Sequence, residues 1–205
     1  GVILITTKKG SKSNGLGITV SASVAAESVF MNPERQKTFG QGSEGTFNAK
    51  AGSNWGPEIT GQTYTDWAGK EQQMRYYDNV KNFFNTGVNI TESVAFSQQF
   101  NKTSVYVSGT RMDDGSKIPG ADYNRTNLMS RVFTSFGKDD RWTLDSKIQY
   151  IRSYAKNRPI SGANTNNYFY TMYTMPISLD ITQFKNSVNP ADGSMYWWEK
   201  GSGQN

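Results

Sequence analysis

Residues 124–154 read NRTNLMSRVFTSFGKDDRWTLDSKIQYIRSY, and the fold is decided there. In the second half, Trp142, Leu144, Ile148 and Tyr150 fall on one face, with Ser146 the only small polar interruption. Thr143, Asp145, Lys147 and Gln149 fall on the other. Successive side chains of a strand point to opposite faces, so a period of two marks a strand with one apolar and one polar side. The first half is fuzzier: Leu128, Val132 and Phe136 share a face with Thr126, Ser130 and Thr134. Gly137-Lys138-Asp139-Asp140 supplies turn chemistry between the two. Both strands are long for a soluble sheet, where about 5–6 residues is usual. A strand crossing a bilayer at a tilt needs about 9–11. Length therefore favours a piece of membrane barrel over a sandwich.

The same alternation recurs upstream. Ile18, Val20, Ala22, Val24, Ala26 and Phe30 alternate with Thr19, Ser21, Ser23 and Glu27, giving a strand over about 17–30. A second covers about 88–100, with Val88, Ile90, Val94, Phe96 and Phe100 on one face. Glu92 interrupts that face, and a carboxylate in lipid is costly, so a bulge, a depth near the headgroups or a protein neighbour is expected there. Asn101-Lys102 turns the chain into a weakly alternating strand over 103–112. The opening hairpin, over about 124–137 and 141–154, completes five strands. Residues 1–7 are apolar on both faces and read as a buried strand, followed by a Gly/Ser-rich linker over 11–16.

Two stretches lack a sustained period: 31–87 and 155–205, both polar and studded with aromatics. Connection lengths thus alternate long, short, medium, short, long. An up-and-down barrel with one trimmed and one elaborated rim produces that order. A short helix is expected near Asp78–Asn85, with Asp78 as N-cap and Gly87 just past its end. Phe100, Phe136 and Trp142 flank the two short turns, where an aromatic girdle at one membrane interface would sit.

Composition sets limits. Only 35% of the 205 residues are hydrophobic, and the longest aliphatic run is Val2-Ile3-Leu4-Ile5, so no transmembrane helix is expected. Barrel strands tolerate this, because only alternate residues meet lipid. With no His and no Cys, Ser-His-Asp and Cys-His triads, disulfides and His- or Cys-ligated metal sites cannot be built. No metal, cofactor or enzymatic role is read from the sequence. The net charge of +5 is spread along the chain, and Lys8, Lys9 and Lys12 read as a solvated strand end, not a nucleic-acid patch.

Four stretches carry a family resemblance. Gly-Val-Ile-Leu-Ile-Thr-Thr-Lys-Lys-Gly at residues 1–10 resembles the end of the plug in TonB-dependent outer-membrane receptors, and more narrowly in the SusC/RagA-type family of Bacteroidota. Asp78 to Gly87 resembles that family's helix before the second barrel strand. Gly115 through Ile118-Pro119, with Asn124-Arg125, is similar to its second external loop and fourth strand. Ala155-Lys156-Asn157-Arg158-Pro159 is similar to its exit from the fifth strand. The resemblance implies an all-β fold: a partial transmembrane antiparallel β-barrel, 17–205, preceded by the last strand of the plug, 1–10. The remainder of a barrel of roughly twenty strands would lie elsewhere. The chain then reads as a fragment that does not fold alone, because its sheet edges would be unsatisfied.

The implied function is TonB-dependent import of oligosaccharides or peptides across a Gram-negative outer membrane. Implied partners are a SusD-like surface lipoprotein, TonB through an upstream region, the rest of the barrel and membrane lipid. Thr143, Asp145, Lys147 and Gln149 would face the aqueous lumen. Tyr196, Trp197 and Trp198, with Trp55 and Trp67, are the candidates for contact with ligand or lipoprotein, since aromatics stack on sugars and anchor interfaces. The alternative is a soluble extracellular glycan-binding β-sandwich, which explains the polar composition and the aromatics but not the alternation of loop lengths.

Overall fold

The computed structural model describes residues 8–12, 15–158, 160, 162, 167–185, 193 and 198. The strand expected over 1–7 lies outside them. The chain divides into two compact units: Gly1–Ser28 with Thr86–Arg158, and Val29–Asn85 with Pro159–Asn205. No helix among the described residues is long and apolar enough to cross a membrane.

The first unit is a five-stranded antiparallel sheet. It contains β1 (Ile18–Glu27), β6 (Gly87–Phe100), β7 (Thr103–Gly115), β8 (Asp122–Phe136) and β9 (Trp142–Lys156), in that spatial order. The four smaller strands β2 (Gly42–Ser43), β3 (Thr46–Phe47), β4 (Thr63–Thr65) and β5 (Glu71–Gln73) belong to the second unit. The strand bounds differ from expectation where pairing decides them. β1 stops at Glu27, not near residue 30, because its partner β6 begins at Gly87, directly opposite. β7 runs three residues past 112: Asp113, Asp114 and Gly115, expected to open a loop, pair with Asn124, Tyr123 and Asp122.

Partners across a ladder share a face. One row runs Ile18, Phe96, Val107, Ser130, Ile148; the next runs Val20, Val94, Gly109, Leu128, Tyr150. Toward the short turns the same face carries Phe100, Val105, Val132, Leu144 and the cross-strand pair Phe136–Trp142. It is bare: Val20 is 74% exposed, Ile148 72% and Trp142 62%. Thr103 and Thr134, opposite each other on it, satisfy one another through their hydroxyls at 2.7 Å.

The apolar band does not follow the rows. On β1 it spans Ile18 to Ala26, while on β9 it spans Trp142 to Tyr150, and the residue of β9 level with Ala22 is Arg152. Its centre thus shifts by about six residues over four strand steps, roughly 20 Å along the strands against 19 Å across them. The band is slanted by about 45° to the rows.

Glu92 lies within this face on β6. The ladder there is continuous from Gly87 to Phe100, with no bulge. Its register partner is Arg111, whose guanidinium is held by Asp113 at 2.6 and 3.2 Å. The continuous ladder removes the expected bulge and leaves Arg111 as the cross-strand neighbour of Glu92.

The turns use left-handed residues where the sequence supplies suitable ones. Asn101 (φ 49°) closes the two-residue turn between Phe100 and Thr103. Gly137, Asp139 and Asp140 (φ 88°, 57° and 53°) bend the chain from β8 into β9. Asn and Asp tolerate this region because their short side chains can bond locally.

The second unit shows that the stretches read as long loops, 31–87 and 155–205, contain short elements of their own. It holds two small hairpins, β2 (Gly42–Ser43) with β3 (Thr46–Phe47) and β4 (Thr63–Thr65) with β5 (Glu71–Gln73). It also holds α1 (Asn79–Phe83), α2 (Tyr168–Thr174) and a 3₁₀ turn over Ile181–Phe184. Met172, Met175, Leu179, Ile181, Phe184 and Trp198 form its core, with Trp67, Phe83 and Phe84 packed at the margin. The two sequence-distant segments therefore bury one another.

Helix α1 is capped by Asp78, as the sequence indicates, but ends differently. Phe84 leaves it in an extended conformation, and Gly87 opens β6 instead of terminating the helix. Glycine is needed at 87 for another reason: a Cβ there would lie 2.7 Å from the Lys117 amide nitrogen. Helix α2 was not foreseen. Its side chains are mostly aromatic and make no i, i+4 charge pair, so propensity gave no sign of it. Its end signals were present: Asn167 caps it by accepting from the Phe169 amide, and Pro176 follows its last turn.

Candidate functional site

The first unit's polar face is built by alternation. Thr143, Asp145, Lys147 and Gln149 point away from Trp142 and Leu144 and share their face with Asn127 and Arg131. Asp145 takes a two-pronged bond from Arg131 at 2.8 and 2.6 Å, and Gln149 donates to Asn127 at 2.8 Å. Residues 8–12 lie on this face. Lys9 sits 3.7 Å from the Asp145 carboxylate and 4.4 Å above the Phe133 ring. Ser11 donates its amide to the Ser97 hydroxyl at 3.0 Å. A polar wall crossed by an incoming segment is the arrangement found here. Phe100, Phe136 and Trp142 all stand exposed on the opposite face beside the short turns.

The second unit carries a cleft of about 930 Å³, within the roughly 300–1,000 Å³ usual for small-ligand sites. Its walls combine Trp67, Trp198 and Tyr77 with the cations Lys50, Lys70 and Arg75. Asp66, Gln72, Asp180 and Gln183 complete the polar lining. Trp67 is held by stacking on Phe184, centroids 5.1 Å apart, and by donating Nε1 to Gln183 at 3.3 Å. Arg75 donates Nε to the Tyr77 hydroxyl at 2.8 Å and lies 4.9 Å from that ring's centroid. The Tyr77 bond raises the Arg75 pKa further above its ordinary value.

Buried and half-buried polar side chains tie the second unit together. Asn79, 1% exposed, donates to the Leu179 carbonyl at 2.8 Å and accepts from the Ile181 amide at 3.0 Å. Arg35 donates to the carbonyls of Met172 and Met175 at 3.1 and 2.6 Å, at the end of α2. Burial lowers the Arg35 pKa, and Tyr76 and Asp78 oppose that shift. Tyr64 is pushed up to about 12, first by burial and then by Tyr77 and Asp66. These side chains do for irregular backbone what a ladder does for a sheet, pairing buried amides and carbonyls.

The aromatic candidates separate. Trp67 lines the cleft. Trp198, expected to project outward, is 4% exposed and packs on Phe184 with centroids 5.8 Å apart, so most of its surface is spent on the core. Trp55 is 61% exposed, beside Phe39, and is not part of the cleft. Tyr196 and Trp197 lie outside the described residues. Lys50, Lys70 and Arg75 had no sequence signal, since single charged residues in a long aperiodic stretch look like solvated surface. Among known proteins, no family model matches the chain and no curated sequence matches it.

Proposed function

We propose that this chain is part of the wall of a TonB-dependent outer-membrane barrel. It imports oligosaccharides or peptides together with a surface lipoprotein of the SusD type. Residues 8–10 are the end of the plug and 11–12 the start of the linker, resting on the lumen side, and the second unit supplies external loops. One observation carries the reading: the slanted apolar band on a sheet whose other face is polar. Strands of a membrane barrel tilt by about 35–45°, so a horizontal belt of lipid crosses their rows obliquely by about that angle. The stretch Trp142 to Tyr150 is about 27 Å long along its strand, or roughly 19 Å of depth at that tilt, close to a belt about 25 Å tall. Aromatics mark both its ends. A soluble sandwich would cover this face with a second sheet, whereas the other sheets among the described residues have two strands each.

The test is fractionation. Expressed together with the rest of its barrel in a bacterium with an outer membrane, the chain should stay in membranes through alkaline carbonate and urea washes and leave only with detergent. Recovery of folded protein in the soluble wash would sink the proposal.

A further inference from the structure

We propose, resting on the import reading, that Trp55 and Phe39 form a platform on which one ring of a neutral, β-linked glucose oligosaccharide stacks. Trp55 is 61% exposed and meets a single other ring, that of Phe39, with centroids 6.1 Å apart and planes tilted by 42°. Its indole N–H has no partner among the described residues. The backbone beneath is fixed. The Trp55 amide donates to the Gly42 carbonyl at 3.0 Å, and the Trp55 carbonyl accepts from the Gly45 amide at 2.9 Å. A Cβ at Gly56, the next residue, would overlap the Gln41 carbonyl oxygen. Gln36 ties together the two segments that carry the rings. Its side-chain oxygen accepts from the Phe39 amide at 2.8 Å, and its nitrogen donates to the carbonyls of Phe39 and Asn54 at 2.8 and 2.9 Å. Only side-chain torsions remain to be ordered on binding, a small cost for an aromatic.

The size of the platform selects its occupant. Between residues 32 and 85, Phe39 and Trp55 are the exposed large apolar side chains, at 38% and 61%. An aromatic side chain offers about 150–250 Å², so together they present roughly 200 Å² of apolar surface. A protein partner needs about 800 Å² on each side, whereas a single sugar ring is matched. A β-glucopyranose carries its hydroxyls equatorially, so axial C–H groups line both of its faces. Such a face packs on an indole, and the free indole N–H is left for a hydroxyl at the ring edge. No cation lies over either ring among the described residues. Stacking without a fixed charge suits a neutral ligand.

The experiment titrates the full chain, in detergent with the rest of its barrel, with three probes: the β-1,4-linked glucose tetrasaccharide, the open-chain polyol sorbitol and tetraproline. Saturation-transfer NMR, irradiating the aromatic protons, reads contact directly. The expected result is transfer to the axial ring protons of the tetrasaccharide, stronger than to either other probe and insensitive to salt. Trp55→Ala should weaken tetrasaccharide binding about tenfold, and Phe39→Ala several-fold, with circular dichroism unchanged because both side chains are exposed. Trp55→Tyr should keep most of the binding. Equal transfer to sorbitol would show that no ring face is read and overturn the proposal, as would tetrasaccharide binding that Trp55→Ala leaves intact. Tighter binding of tetraproline would replace sugar by a protein segment, and binding of none of the three would remove the platform. Failure of the membrane fractionation, by contrast, removes import without touching these titrations.

Discussion

Gly10 and Val105 are in backbone contact: a Cβ at position 10 would fall 2.5 Å from both the amide nitrogen and the carbonyl oxygen of Val105. Only glycine lets residues 8–12 lie this close to the polar face. Ser11 and Ser97 bring their hydroxyls to 3.4 Å beside it. In this cysteine-free chain, Ser11→Cys with Ser97→Cys should close a disulfide, since the geometry needs little adjustment. Adding Gly10→Val should cut the yield several-fold in a gel-shift assay. Equal crosslinking with valine at 10 would mean the segment is not seated by that contact.

Ile148 gives a discriminating substitution because it is 72% exposed in the apolar band. On a water-facing surface, Ile148→Lys should change stability by no more than about 0.5 kcal/mol. Facing lipid, it should cost about 2–4 kcal/mol near the midplane. Urea unfolding in detergent or lipid vesicles reads the difference, and a neutral outcome in vesicles argues against a membrane-facing band.

Asn79 joins the two segments of the second unit through both ends of its amide. Asn79→Ala should cost about 2–4 kcal/mol, because it leaves the buried Leu179 carbonyl and Ile181 amide unpaired. Limited proteolysis should then cut both 29–85 and 167–185 faster, together. Cutting in one segment alone would show that the two do not fold as one unit.

Asp145 is shared between Arg131 and Lys9, and the two contacts should differ in strength. Arg131 is bidentate with a side chain only 13% exposed, whereas Lys9 is 46% exposed at 3.7 Å. Double-mutant cycles should give a larger coupling energy for Arg131–Asp145 than for Lys9–Asp145. Equal coupling energies would contradict this order.

Tyr64 predicts an alkaline transition. Its folded pKa is pushed up to about 12 from an ordinary 10.0, so the folded form holds its proton after the unfolded form has lost it. The stabilisation is complete below about pH 10 and is lost as pH rises toward 12. Tyr64→Phe should flatten the fall in thermal stability over that window, measured on the full chain. An unchanged slope would place the titrating group elsewhere.

The sequence by itself determined the five-stranded meander, its short turns and which residues share each face. Alternation is local: each side chain's direction follows from its neighbours, as in Thr143, Asp145, Lys147 and Gln149, and turn chemistry at Gly137–Asp140 and Asn101 fixes where strands reverse. Asp78 as a helix cap is legible for the same reason. Only the tertiary structure decided the second unit. Its ties run between residues about a hundred or more positions apart, such as Asn79 with Leu179 and Arg35 with Met175, and no periodic pattern announces such a pairing. Trp198 shows the consequence: three adjacent aromatics in a polar stretch look outward-facing, until a core assembled from another segment gives one of them a place to bury. The slant of the apolar band also needed the ladder register, because it is a relation between strands that no single strand contains.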